Sequence, residues 1–138
     1  MVARVEAGAD VVCASRYMSG GRQVGGPRFK KFLSRTAGVT LHWFARLPTH
    51  DPTNSFKAYR KDFLGRTPIE STAGFSVSLE LTVKAHFQGG RVEEVPATWN
   101  DRVAGQSRFR LWKWLPAYLH WYVWALRQSL RGRPVSSR

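Results

Sequence analysis

Asp51 is the residue around which chemistry could gather. His50 precedes it, Lys57 and Arg60 follow it, and the stretch His50-Asp51-Pro52-Thr53-Asn54-Ser55 between them is turn-forming. A carboxylate beside an imidazole can orient a substrate or take its proton, and cations a few residues on can hold an anion. The simpler reading is a polar loop that caps an element: Pro52 fixes φ while Asp51, Asn54 and Ser55 bond to nearby backbone. Phe56, Ala58 and Tyr59 then resume an apolar pattern, which puts the turn at the edge of something packed.

The charge balance favours an anionic partner. The 138 residues hold 22 Lys and Arg against 9 Asp and Glu, a net charge of +13. No acid occurs between Asp10 and Asp51, whereas Arg16, Arg22, Arg28, Lys30, Lys31, Arg35 and Arg46 accumulate there. An ordinary solvated helix mixes its signs, so this cluster reads as an anion site. The partner classes left open are nucleic acid, a phosphorylated small molecule and an anionic membrane surface.

These residues must be positioned by one domain with one core, the size the chain allows. Cys13 is the only cysteine, which rules out an internal disulfide or a cysteine-based zinc site and fits a reducing compartment. The first residues lack the apolar core of a signal peptide. No apolar run reaches the roughly 18 to 20 residues of a membrane span.

Val2 to Ala7 predicts a short helix ended by Gly8. Asp10 to Ser15 predicts a buried strand, followed by a Gly-rich segment from Ser19 to Pro27, where α/β proteins place ligand phosphates. No G-x-G-x-x-G or Walker pattern is present. From Pro27 a helix is predicted, with Phe29, Phe32, Leu33, Ala37, Leu41 and Phe44 on one face and backbone donors at its N-terminus. Lys61 to Arg66 reads as a helical turn and Arg91 to Pro96 as a strand, with Pro96 suiting an edge or a strand end. From Val77 to Phe87 the odd positions are all apolar, as in a strand, yet the length and Gln88-Gly89-Gly90 suit a helix; periodicity leaves both open. Asn100 to Ser107 reads as a polar loop.

The last third changes character. Arg108 to Arg127 holds four of the six tryptophans, and Asp101 to Arg138 has eight Lys or Arg against one acid. That is the composition of a helix lying in a lipid headgroup layer, and equally of a terminal helix docked with its aromatics in the core. Pro116 would kink it or divide it. The aromatics crowd into Trp112 to Trp124 while many cations sit in Arg16 to Arg35, which counts against single-stranded nucleic acid as the partner.

Taken in order, the pieces resemble the second half of a family 2 glycosyltransferase of the dolichol- or polyprenol-phosphate mannosyltransferase type. The resemblance rests on Gly8-Ala9-Asp10-Val11-Val12 with Ser15-Arg16-Tyr17, the Gly-rich loop and basic helix to Ser34-Arg35, and Asp51-Pro52-Thr53-Asn54-Ser55-Phe56-Lys57-Ala58-Tyr59-Arg60. It continues through Gly74-Phe75-Ser76 with Glu80-Leu81, Val92-Glu93-Glu94-Val95-Pro96, and Asp101-Arg102-Val103-Ala104-Gly105-Gln106-Ser107-Arg108. The segment ending at Phe87 is a helix in that family.

The resemblance implies an α/β fold: an incomplete GT-A (Rossmann-like) domain over residues 1–107, its C-terminal half, with an amphipathic aromatic and basic helix over 108–130 and a basic tail over 131–138. It implies transfer, with inversion, of a mannose- or glucose-type sugar from a nucleotide sugar to a polyprenyl or dolichyl phosphate, aided by Mg or Mn. It implies that Arg16, Lys30 and Ser34 hold the acceptor phosphate, that Arg102 meets the donor diphosphate, and that Asp51 orients the acceptor or acts as base. Trp112, Trp114, Trp121 and Trp124 would face the membrane, making the protein peripheral on the cytoplasmic face. Asn54-Ser55 stands where some relatives have Gly-Asp, and Lys30 where Arg is more usual; lysine keeps the charge but loses the bidentate fork. The Asp-x-Asp metal pair and nucleotide unit are not in this sequence, so the expectation is an acceptor half, inactive without its N-terminal half or a complementing chain. The alternative is a basic aromatic module that binds nucleic acid or anionic membrane without catalysis.

Overall fold

The computed structural model describes residues 1–100 and 111–132. The expected loop over 101–107, and with it Arg102, lies outside the described residues, as does the tail from 133. The chain is α/β, and its organising strand is β1 (Val11–Ser15), buried at every position. After the short α1 (Val2–Glu6), β1 takes the centre of a three-stranded mixed sheet. It pairs antiparallel with β3 (Lys57–Tyr59) and parallel with β4 (Val92–Pro96), with Val11 opposite Tyr59 on one side and Val92 on the other. The Gly-rich segment carries β2 (Arg22–Val24), which pairs in parallel with β5 (Thr98–Asn100) as a separate ribbon. Neither β2 nor β5 has the apolar alternation that would mark a strand in sequence.

Among the described residues the further helices are α2 (Arg28–Phe44), α3 (Lys61–Arg66), α4 (Ser76–Phe87) and α5 (Leu111–Leu130). The alternation in α4 has a direct explanation. Val77, Leu81 and Ala85 pack with Val11, Cys13, Phe63 and Val92 beneath the sheet, whereas Leu79, Val83 and Phe87 pack with Leu41, Leu47, Trp121 and Ala125. Each set is spaced by four residues, one helical turn, and the two sets project from opposite faces. A helix shared by two cores therefore imitates the period of a strand.

The polar residues of α4 are buried as well, and each is answered. Glu80, with no exposed side-chain surface, accepts from the backbone N–H groups of Glu70 and Ser71 (2.7 and 2.8 Å) and from the Lys84 ammonium at 2.7 Å. Lys84 also donates to Pro68 O and Glu70 (both 2.6 Å), and lies 4.9 Å from the centre of the Trp121 ring. Burial pushes the Glu80 carboxyl up, but the bonds from Lys84, Ser71 and the Glu70 N–H outweigh it and hold the group below its ordinary value. A depressed carboxyl contributes stability above its unfolded value, and that contribution fades as pH falls through the folded value. Glu80→Gln is accordingly expected to lose about 1–3 kcal/mol at neutral pH. Its stability should also fall less steeply than wild type on acidification, as measured by urea midpoints across the acid range. Parallel pH profiles for the two proteins would refute the assignment.

On α2 only part of the face read from the apolar spacing turns inward. Gly38 and Leu41 are buried, followed by Ala45 just past the helix end, while Phe29, Phe32 and Phe44 are 54%, 65% and 70% exposed. The inner line is set by small residues that let the helix approach the turn at His50. Phe29 and Phe32 point away from that line and are exposed, as are Arg28 and Arg35.

Candidate functional site

Arg16 follows β1 directly, so the strand sets its backbone, and Asp51 meets it from the turn after α2. The contact is a fork: Arg16 Nε donates to Asp51 Oδ2 at 2.7 Å and Nη2 to Oδ1 at 2.8 Å, while the Arg16 backbone N–H donates to Oδ2 at 3.0 Å. The side chain of Asp51 is fully buried and that of Arg16 is 13% exposed. Burial alone would disfavour the guanidinium charge, but the Asp51 hydrogen bond and charge outweigh it. Both oxygens of Asp51 are thus engaged by Arg16. The geometry makes Asp51 the partner that orients Arg16, whereas the resemblance implies that it orients the acceptor or acts as base.

Around this pair the turn is stitched to its surroundings. Arg16 Nη2 also donates to Ser34 Oγ (3.0 Å), and the Ser34 and Thr53 hydroxyls share a 2.7 Å hydrogen bond. The Asp51 N–H donates to Thr49 Oγ1, and Asn54 Nδ2 to Ala14 O at 2.8 Å on β1. The Lys57 ammonium donates to the carbonyls of Pro52 and Asn54 from inside the turn. Burial holds the Lys57 amine below its ordinary value. Arg16 lies 4.9 Å from the centre of the Tyr17 ring. Since Asp51 offsets one cation, the charge left over comes from Lys57 and α2.

The structure therefore joins Arg16, Ser34 and Asp51 directly. Lys30 is half-buried on the first turn of α2, one turn before Ser34 and on the same side of the helix. Thr49, Thr53 and Asn54 complete the setting; in sequence they are indistinguishable from ordinary turn formers. The four tryptophans divide. Trp112 is 76% exposed. Trp114 is half-buried and meets the Phe75 ring edge-on at 5.6 Å, and Trp124 packs edge-on against Phe87 at 5.7 Å. Trp121 is 4% exposed and its indole N–H donates to Ser71 Oγ at 2.8 Å, so this ring is core and not surface. Burial corrects its place in the membrane-facing set.

The resemblance implies a divalent metal. Among the described residues no three His, Cys, Asp or Glu converge to hold one. Asp51 and Glu80 are saturated as above, and Asp10 accepts from the Arg91 N–H and pairs with Arg60 and Arg66. These residues do not fit a metal, and no step is assigned through one. Nor is any helix among the described residues long and apolar enough to cross a membrane.

The polyprenol monophosphomannose synthase of Mycolicibacterium smegmatis is 33% identical to the chain over 106 residues, covering 75% of this chain and 40% of that protein. The chain is related by sequence to the polyprenyl-phosphate mannosyltransferases. The undecaprenyl-phosphate mannosyltransferase of Micrococcus luteus (29% identity, 72% of this chain, 42% of its own length) agrees. So does the dolichol-phosphate mannosyltransferase of Pyrococcus furiosus (27%, 80% and 31%). The chain spans less than half the length of each of these relatives. No protein-family profile matches it.

Proposed function

We propose that this chain is the acceptor side, and C-terminal part, of a GT-A family 2 glycosyltransferase that moves a mannose- or glucose-type sugar onto a polyprenyl phosphate at the inner membrane surface. The observation that carries the reading is the Arg16 fork: a guanidinium held rigid by buried Asp51 and bonded to Ser34 of α2, a helix whose first two turns carry Arg28, Lys30, Lys31 and Arg35. An arginine pre-oriented in this way loses little freedom on taking a phosphate, which would be met by Nη1, the guanidinium nitrogen that the bonds to Asp51 and Ser34 do not use.

In the reaction a phosphate oxygen of the lipid forms a bond to the sugar's anomeric carbon as the bond to the nucleoside diphosphate breaks. A lipid phosphate is ionised near neutral pH, so this oxygen needs no base, which is compatible with Asp51 being spent on Arg16. Arg16, Ser34 and Lys30 bind and aim the acceptor. Arg102 meets the departing diphosphate, where a cation stabilises developing charge. The exposed ring of Trp112, with the flanks of α2 and α5, rests in the headgroup layer as an amphipathic surface. The nucleotide and any metal are held by a donor-binding portion.

The test pairs binding with transfer. The chain in mixed micelles is expected to bind farnesyl phosphate and not farnesol, with affinity lost on Arg16→Met. It should transfer sugar from a nucleotide donor only when a donor-binding portion of a relative is supplied. Equal binding of the alcohol, or transfer by the chain alone, would overturn the corresponding half of the proposal. Salt-sensitive retention of single-stranded nucleic acid in place of lipid phosphate would favour a binding module instead.

A further inference from the structure

His50 and Glu94 form a contact that the fork itself does not use. Glu94 lies on β4, opposite Cys13 of β1, with 13% of its side chain exposed. Its Oε2 accepts the His50 backbone N–H at 2.8 Å, and its Oε1 accepts the His50 Nδ1–H at 2.7 Å. One carboxylate thus grips both the backbone and the ring of the residue before Asp51. The His42 ring stacks on the His50 ring with centroids 4.0 Å apart, and His42 is itself fixed by its Nδ1–H bond to Leu47 O at 2.8 Å. The His50 carbonyl abuts Gly38 of α2.

We propose that Glu94 is a positioning residue of the Arg16 anion site, holding the His50–Asp51 backbone where Asp51 can fork Arg16. The carboxylate spans the path from the sheet to the turn: Cys13, opposite Glu94, is three residues before Arg16, and His50 is one residue before Asp51. An exposed ion pair contributes little to stability, but this pair is bidentate and includes a backbone donor. If Glu94 lets go, the peptide preceding Asp51 can rotate, and both oxygens of Asp51 depart from the guanidinium plane. Among the described residues, the charged and titratable groups against His50 are Glu94 from β4 and His42 from α2, with Asp51 next in the turn. The proposal takes only its anion from the function proposed above; the positioning rests on the contacts themselves.

The chemistry of the pair supplies a test that a purely structural role would not pass. In Glu94→Gln the amide oxygen can still accept the His50 backbone N–H. Neutral His50 can keep its ring bond by accepting an amide N–H at Nδ1 with its own proton moved to Nε2. An imidazolium carries both ring protons and cannot. The measurement is the NMR signal of the Arg16 Nε–H in the full chain, with inorganic sulfate as probe because its charge is constant over the range. At alkaline pH, with the His50 ring neutral, Glu94→Gln should match wild type. At acid pH, with the ring protonated, its Arg16 signal should move toward that of a free guanidinium, with sulfate affinity about tenfold weaker than wild type. Glu94→Leu should show the displaced signal at both pH values. An Arg16 signal in Glu94→Gln that matches wild type at both pH values would overturn the proposal, even if Glu94→Leu fails to fold. If the Nε–H signals behave as expected but wild type shows no sulfate binding at Arg16, the anion site fails and the positioning role of Glu94 stands.

Discussion

Asp51→Ala is expected to unfold the chain at a urea midpoint well below wild type, at a cost of about 3–5 kcal/mol, because it leaves the Arg16 guanidinium buried without a counter-charge. The side chain of Arg16 is only 13% exposed and three of its bonds go to Asp51, so water cannot replace the lost partner without opening the turn. A loss of that size is a large share of the roughly 5–15 kcal/mol that holds a domain of this kind together. Asp51→Asn should cost less in volume but still breaks the fork, since one amide position presents N–H groups to a donor. Both variants should lose lipid-phosphate affinity along with stability. The alternative role predicts something different: a residue acting only as an open base would leave the midpoint and the affinity unchanged and abolish transfer. Denaturation and binding measured on the same preparations therefore decide between an orienting and a proton-accepting Asp51.

What could be read from the residues follows from how local each feature is. The strand at Asp10–Ser15 and the helix starting after Pro27 were legible because a β-branched apolar run and a first-turn proline act within a few residues. The fork itself was not legible. Arg16 and Asp51 are 35 residues apart, and only the placement of β1 beside the turn brings them together. The inner face of α2 was legible only in part, through Leu41: its contact with the turn is made through Gly38, which carries no hydrophobic signal at all. In α4 the pattern was informative but belonged to two cores, a case that period alone cannot separate from a strand. Trp121 shows the limit of composition, since a tryptophan flanked by aromatics and cations reads the same whether its ring meets lipid or Leu79 and Val83.

Gly38 gives the second large expectation. A Cβ at this position would stand 2.0 Å from His50 O, 2.9 Å from the His50 carbonyl carbon and 3.3 Å from Pro52 Cδ. The nearest two atoms are backbone, so no side chain can swing away, and α2 must back off from the turn that carries Asp51. On an open helix face, replacing glycine by alanine gains about 1 kcal/mol from helix propensity. Here the overpacking penalty, typically 1–3 kcal/mol, opposes that gain, and a clash with backbone belongs at its upper end. Gly38→Ala is thus expected to destabilise the chain by about 2 kcal/mol net. It should weaken phosphate binding as well, because Ser34 lies one turn earlier on the helix that is displaced. Gly65→Ala on α3 is the control: a Cβ there meets nothing within 4 Å, so stability should hold or rise by up to about 1 kcal/mol. Equal urea midpoints for Gly38→Ala and wild type would mean that α2 and the Asp51 turn can part without loss. The shared framework proposed for Ser34, Arg16 and Asp51 would then fail.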